Sequence, residues 1–253
     1  MLRIALTALT ASLAAACSPP PAAERSEALI AVAANFAPTA EILADAYRDE
    51  SGHHVTLSSG STGQLFARIV EGAPYDAFLS ADSERPAQLV AQGRATADSQ
   101  FTYAFGRLVL WSADPDRIGA DGVPALAGEF RALALPNPRF APYGAAAMET
   151  LQSLGLADAL ADRIVTGGDV GSTHALIASG NAELGFIAQS QWSENRGSAW
   201  VVPQDLHIPL AQDAVLLPRG ADNPAAIGFL LFLQSDEARA VIAAAGYDTE
   251  GRE

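Results

Sequence analysis

From Ala28 onward the chain alternates short apolar strands with amphipathic helices, and glycine, serine and threonine crowd the turns between them. Such alternation folds as a mainly parallel sheet with helices on both faces. Residues 28–33 (ALIAVA) predict a strand. Residues 39–50 predict a helix, with Ala40, Leu43, Ala44, Ala46 and Tyr47 on one face and Ser51-Gly52 as its stop. A strand over 55–58, a helix over 64–71 closed by Gly72-Ala73-Pro74 and a strand over 76–80 follow. Residues 107–112 (RLVLWS) are strongly apolar and predict a strand crossing between two units. The second unit reads as strand 132–135, loop 136–144, helix 145–154, strand 162–166, a Gly-rich turn and helix 174–179, then a buried strand over 184–188. A strand over 213–217 and helices over 223–233 and 236–245 end the pattern, with no internal repeat of useful period.

Ligands of such sheets bind beyond the carboxyl ends of the strands, so the turns there carry the functional information. Ser58-Ser59-Gly60-Ser61-Thr62-Gly63 joins a strand to a helix, and Ala33-Ala34-Asn35-Phe36 does the same earlier. Helix starts expose unpaired N–H groups at a positive dipole end, and hydroxyls beside them add donors, so both turns suit an anion. Plain helix capping is the alternative reading. In the second unit Tyr143 precedes a helix and offers its phenol or its N–H. Val170 can offer only its N–H, approached through Gly167, Gly168 and Gly171. Together the four turns imply a cleft between two lobes.

The N-terminus has a short positive end, an apolar run and small residues before Cys17, the single cysteine, which describes an export signal over 1–16. Cys17 is the lipidation candidate; ordinary cleavage after Ala16 is the alternative. Residues 17–27, with Pro19-Pro20-Pro21, read as an unstructured tether. One cysteine excludes a disulfide framework, and no Cys/His cluster has metal-ligand spacing. The adjacent His53 and His54 face opposite ways on a strand and read as solvated. The net charge of −14, with arginine as the sole basic residue type besides histidine, argues against nucleic acid or an anionic lipid surface as partner. It does not exclude an anionic ligand, because charge beyond about 8–10 Å is screened. No Gly-x-Ser-x-Gly elbow, Gly-x-Gly-x-x-Gly or Walker A loop, or His-Glu-x-x-His helix occurs. Paired carboxylates at Asp76 and Asp82, or a triad of Asp169, His174 and Ser61, are the catalytic alternatives, with little around them to support either.

Ala33-Ala34-Asn35-Phe36, Ser58 to Gly63, Gly72-Ala73-Pro74-Tyr75-Asp76 and Phe78-Leu79-Ser80-Ala81-Asp82 resemble the periplasmic molybdate-binding proteins of ABC importers. So do Asn137-Pro138 with Ala141-Pro142-Tyr143-Gly144, and Gly185-Phe186-Ile187, and the resemblance runs from Ala28 to about Tyr247. It implies an α/β, two-lobed periplasmic binding protein fold of type II, each lobe a mainly parallel sheet flanked by helices, with the ligand in the interlobe cleft. Lobe 1 is expected over 28–106 and 207–253, and lobe 2 over 107–206. The implied ligand is molybdate or tungstate, a dehydrated oxyanion held by neutral donors with no direct side-chain ligation of the metal and no cofactor. By position the donors are Asn35 with the Ala34 N–H, Thr62 with Ser61, Tyr143, and the Val170 N–H. Many members carry Ser where Asn35 stands and Tyr where Ala188 stands; this chain looks like the subgroup with Asn and an Ala-Pro-Tyr loop. The implied role is an extracytoplasmic monomer that performs no chemistry, delivers its ligand to a membrane permease and touches the membrane only through a lipid on Cys17. Its rivals are a receptor for another oxyanion such as sulfate, a sensor or adhesin of the same fold, and an extracytoplasmic hydrolase using Ser61 or Asp82.

Overall fold

The computed structural model describes residues 26–192 and 196–249; the export signal, Cys17 and most of the proline-rich stretch lie outside them. In chain order the elements are β1 (Glu27–Ala33), α1 (Ala37–Ser51), β2 (His54–Gly60), α2 (Thr62–Val70), β3 (Ala77–Leu79), α3 (Glu84–Ala91), β4 (Phe101–Gly106) and β5 (Leu108–Ser112). Then follow α4 (Val123–Ala127), β6 (Leu133–Pro136), α5 (Pro142–Ser153), α6 (Ala157–Leu160), β7 (Ile164–Gly167), α7 (Val170–Ala178) and β8 (Leu184–Ala188). Last come β9 (Ser198–Val201), β10 (Leu210–Leu216), α8 (Pro224–Phe232) and α9 (Asp236–Ala244). Among the described residues no helix is long and apolar enough to cross a membrane.

The strands form two sheets, in the orders β2-β1-β3-β10-β4 and β7-β6-β8-β5-β9. In each, the fourth strand runs antiparallel to both neighbours, so four strands point one way and one points back. The reversed strands are those on which the chain changes sheets. It leaves the first sheet after Gly106, enters the second on β5, and returns through residues 202–209 onto β10. The sequence shows no repeat, yet the two sheets are built to one plan.

Side-chain alternation buries both faces of the first sheet. Ile30, Val32, Ala77 and Leu79 pack with Phe36, Leu43 and Phe229 on one side, while Ala31 and Phe78 join Leu65, Leu89 and Val215 on the other. In the second lobe Leu108, Leu110, Leu133, Leu135 and Phe186 pack with Leu151 and Ile177. α1 starts with a proline in its first turn and ends at Gly52, whose φ of 74° lets its N–H reach Arg48 O at 2.8 Å.

Several boundaries differ from the sequence expectations. The helix expected from Ala145 begins at Pro142, because proline loses no hydrogen bond in a first turn, so Tyr143 is helical and not in a loop. The helix expected from His174 begins at Val170, four residues earlier, where Asp169 and Ser172 form a capping box. The stretch read as tether to Glu27 ends sooner, since Glu27 already pairs with His54 in β1 and β2. His53, read as solvated, is half-buried, and its Nδ1 takes the Ser26 N–H at 3.2 Å and lies 3.1 Å from its hydroxyl. β4 and β9 carry too short an apolar alternation to stand out in sequence.

Phe78→Ala removes a fully buried ring from the middle of a central strand. It is expected to lower unfolding free energy by about 3–5 kcal/mol, read from urea denaturation followed by circular dichroism.

Candidate functional site

The sheets end in matching ways. In the first, Ala33 pairs with Gly60 and the ladder extends by one bond, Ala34 N–H to Gly60 O at 2.9 Å. In the second, Pro136 pairs with Gly167 and Asn137 N–H reaches Gly167 O at 2.9 Å. Beyond each pair the chain turns into a helix, so α1, α2, α5 and α7 all begin at the carboxyl ends of these strands. Their starts surround a small pocket lined by Ala33, Ala34, Asn35, Ser61, Thr62 and Ala81 from one lobe and Ala141, Pro142, Tyr143, Asp169 and Val170 from the other. All six residues singled out in the sequence for the ligand therefore meet here, and each named polar member is almost wholly buried.

What each can offer differs from expectation in two places. The Ala34 N–H is engaged with Gly60, as its counterpart is in the second lobe, so it is not a free donor. The Asn35 amide nitrogen is engaged as well, donating to Gln212 Oε1 at 2.9 Å and Tyr247 OH at 3.2 Å. Among the described residues the backbone N–H groups of Asn35, Thr62, Tyr143 and Val170 donate to no protein acceptor. Thr62, Tyr143 and Val170 lie in first turns, where such groups point out of the helix end, and Asn35 lies just before Phe36, the N-cap of α1. Thr62 Oγ1 accepts from Ala81 N–H at 3.1 Å, which leaves its proton free to donate. Ser61 Oγ is buried with no hydrogen-bond partner among the described residues. Buried hydroxyls without partners are uncommon and mark a place where something else bonds.

Sequence reasoning missed the layer behind these donors. Gln212 donates from Nε2 to Tyr143 OH at 3.3 Å, and the Tyr103 hydroxyl donates to Ser80 O at 2.9 Å. Tyr247 OH donates to Asn35 O at 2.7 Å. Burial pushes the Tyr103, Tyr143 and Tyr247 phenols well above the ordinary tyrosine value of 10.0, so they keep their protons and remain donors at alkaline pH. No short motif marks these residues, because they come from β4, β10 and the C-terminal stretch and converge only in the fold.

Asp169 is the one charged side chain of the lining, and its Oδ1 is held by Ser172 N–H at 2.7 Å. His174 stacks on Trp111 with ring centroids 4.7 Å apart. Among the described residues Ser61 Oγ is hydrogen-bonded to neither an imidazole nor a carboxylate that would activate it as a nucleophile. Asp82 pairs with Arg85 and accepts the Ser80 hydroxyl at 3.0 Å.

The lobes touch at the cavity rim. Gly63 N–H donates to Phe140 O at 2.7 Å, and a Cβ on Gly63 would stand 2.9 Å from Phe140 Cα. Only glycine allows the two main chains to approach this closely.

Residues 28–248 match the family model of bacterial extracellular solute-binding proteins, and the chain belongs to that family. It is 45% identical over 225 residues to the molybdate-binding protein ModA of Rhodobacter capsulatus, covering 88% of this chain and 89% of that protein. It is 43% identical over 230 residues to the molybdate-binding protein ModA of Azotobacter vinelandii, covering 89% and 91%. Among solved structures, the periplasmic molybdate-binding protein of Azotobacter vinelandii is similar with a TM-score of 0.86 at 42% identity, covering 88% of this chain and 100% of that chain.

Because the Ser61 hydroxyl makes no bond inside the protein, its removal should not destabilise the empty molecule. Ser61→Ala is expected to leave the ligand-free melting temperature unchanged or slightly raised, measured by differential scanning calorimetry.

Proposed function

We propose that this member of the extracellular solute-binding protein family captures molybdate or tungstate between its lobes, outside the cytoplasm, and delivers it to the permease of an ABC importer. The observation that carries this reading is the buried, unpartnered Ser61 hydroxyl, set among the unpaired N–H groups of Asn35, just before α1, and of Thr62, Tyr143 and Val170 in the first turns of α2, α5 and α7. The ligand-facing set is the N–H groups of Asn35, Thr62, Tyr143 and Val170 with the hydroxyls of Ser61 and Thr62. Ala34 shapes the wall.

Molybdate and tungstate carry two charges and no proton at neutral pH, so every oxygen accepts. Hydrogen phosphate brings a donor that main-chain N–H groups cannot satisfy, and that mismatch costs affinity. The helix dipoles supply the positive potential without a cationic side chain. The relatives named for molybdate support this choice of ligand. The N-terminal pattern supports export through residues 1–16 with Cys17 as the lipid anchor, and the sheet of β1 to β4 with β10 belongs to the lobe that offers Asn35, Ser61 and Thr62.

Isothermal titration with molybdate, tungstate, sulfate and phosphate tests the reading. Heat is expected with the first two; binding of sulfate or phosphate in their place would refute it. Ser61→Ala is expected to weaken molybdate binding by about 1–3 kcal/mol, as for a donor lost from a charged partner. The wild-type affinity should stay flat from about pH 6.5 to about pH 9, because the phenols around the site are pushed above their ordinary value and do not ionise in that window. A decline across it, measured by the same titration, would place an ionising group among the donors.

A further inference from the structure

Asn35 is held by more than its own lobe. Its carbonyl oxygen accepts two hydroxyl protons, from Tyr247 at 2.7 Å and from Ser190 at 3.0 Å. The two hydroxyls are themselves 3.0 Å apart, and Asn35 Nδ2 lies 3.2 Å from the Tyr247 oxygen. The node thus joins Asn35 to two residues that lie 155 and 212 positions away in the chain.

The partners come from different bodies. Tyr247 belongs to the first lobe: its ring meets Phe36 edge-on at 5.4 Å, and the next residue, Asp248, exchanges main-chain hydrogen bonds with Phe105 of β4 at 2.7 and 3.0 Å. Arg107, where the chain crosses between sheets, pairs with the Asp248 carboxylate from both Nε and Nη2. Ser190 belongs to the second lobe, in the short turn directly after β8 and two residues beyond Ala188.

We propose that Tyr247 and Ser190 form a clasp across the cleft that orients Asn35 and sets how long the closed, loaded state lasts. The clasp rests on the oxyanion-capture reading above. Neither residue lines the cavity, so both are positioning residues acting through Asn35. Tyr247 holds Asn35 whether the lobes are open or shut, since both sit in one lobe. The clasp requires the Ser190 bond to part when the lobes open, and a contact made in one state alone shifts the equilibrium towards that state by its whole free energy. Opening breaks it, so its loss belongs to release and not to encounter.

The test uses Tyr247→Phe, which keeps the ring against Phe36, and Ser190→Ala, with molybdate as the probe in stopped-flow binding and thermal melts as the folding control. Each variant is expected to raise the dissociation rate about 3- to 10-fold while the association rate stays within about twofold. The double variant should lose less than the product of the two effects, because both hydroxyls serve one carbonyl. Ser190→Thr, which retains the hydroxyl, should release ligand like the wild type. Unchanged dissociation in both single variants, or effects that multiply fully in the double, would overturn the clasp. Wild-type protein that binds no molybdate would instead refute the oxyanion reading beneath it.

Discussion

Every parallel strand that feeds a helix leaves that helix's first N–H groups unpaired, and a fold that aims several such starts at one point must supply an acceptor there. In this protein α1, α2, α5 and α7 share that obligation. Their strands end in register, Ala33 against Gly60 and Pro136 against Gly167, so the turns stand at equal height in the two lobes. Shutting the lobes onto each other buries the starts and removes water as the default partner. An anion seated among them supplies the acceptors that these groups lack.

The two reversed strands make that closure possible. β5 and β10 occupy the same position in their sheets and carry the chain between them, so among the described residues the main chain passes between the lobes at two crossings. Gly106, at the first crossing, leaves space that Tyr143 OH and Gln212 Nε2 occupy; a Cβ there would overlap both. A phenol from the second lobe therefore reaches the hinge of the first, and Gln212 on β10 connects it to Asn35. The donors and the hinge belong to one bonded network, which places the cleft's response to a ligand next to the pivot on which it turns.

Much of this arrangement was legible in the residues. The alternation of strands and helices pointed to sheets with helices on both faces, and the Ser61-Thr62 and Ala34-Asn35 turns pointed to the cavity they now line. What could not be read was which atoms remain free. Ala34 looks like a donor in sequence, but the ladder takes one more bond than the strand pattern shows. Asn35 looks like a side-chain donor, but its amide is claimed by Gln212 and Tyr247, which lie 177 and 212 residues away. Tyr143 left open a choice between phenol and N–H. Its phenol turns to Gln212, and its position inside the first turn of α5 leaves the N–H unpaired. Local pattern fixes which residues reach a site; long-range packing decides which of their bonds are already made.

The acidity of the chain and a site lined by no cationic side chain are consistent for the same reason. Exposed carboxylates act through water, and their fields fade within about a Debye length, whereas a donor at hydrogen-bond distance in a dry cavity acts almost unscreened. A cationic side chain at the centre would strengthen the field but would hold any anion of fitting size, and it would carry its own desolvation cost when empty. Main-chain donors avoid both consequences. They are fixed by the fold, they cannot titrate, and they require each ligand oxygen to accept. Selectivity then rests on how rigidly those donors are held, which explains why the residues behind them, Gln212, Tyr103 and Tyr247, are buried polar groups that bond to one another or to the turns they support.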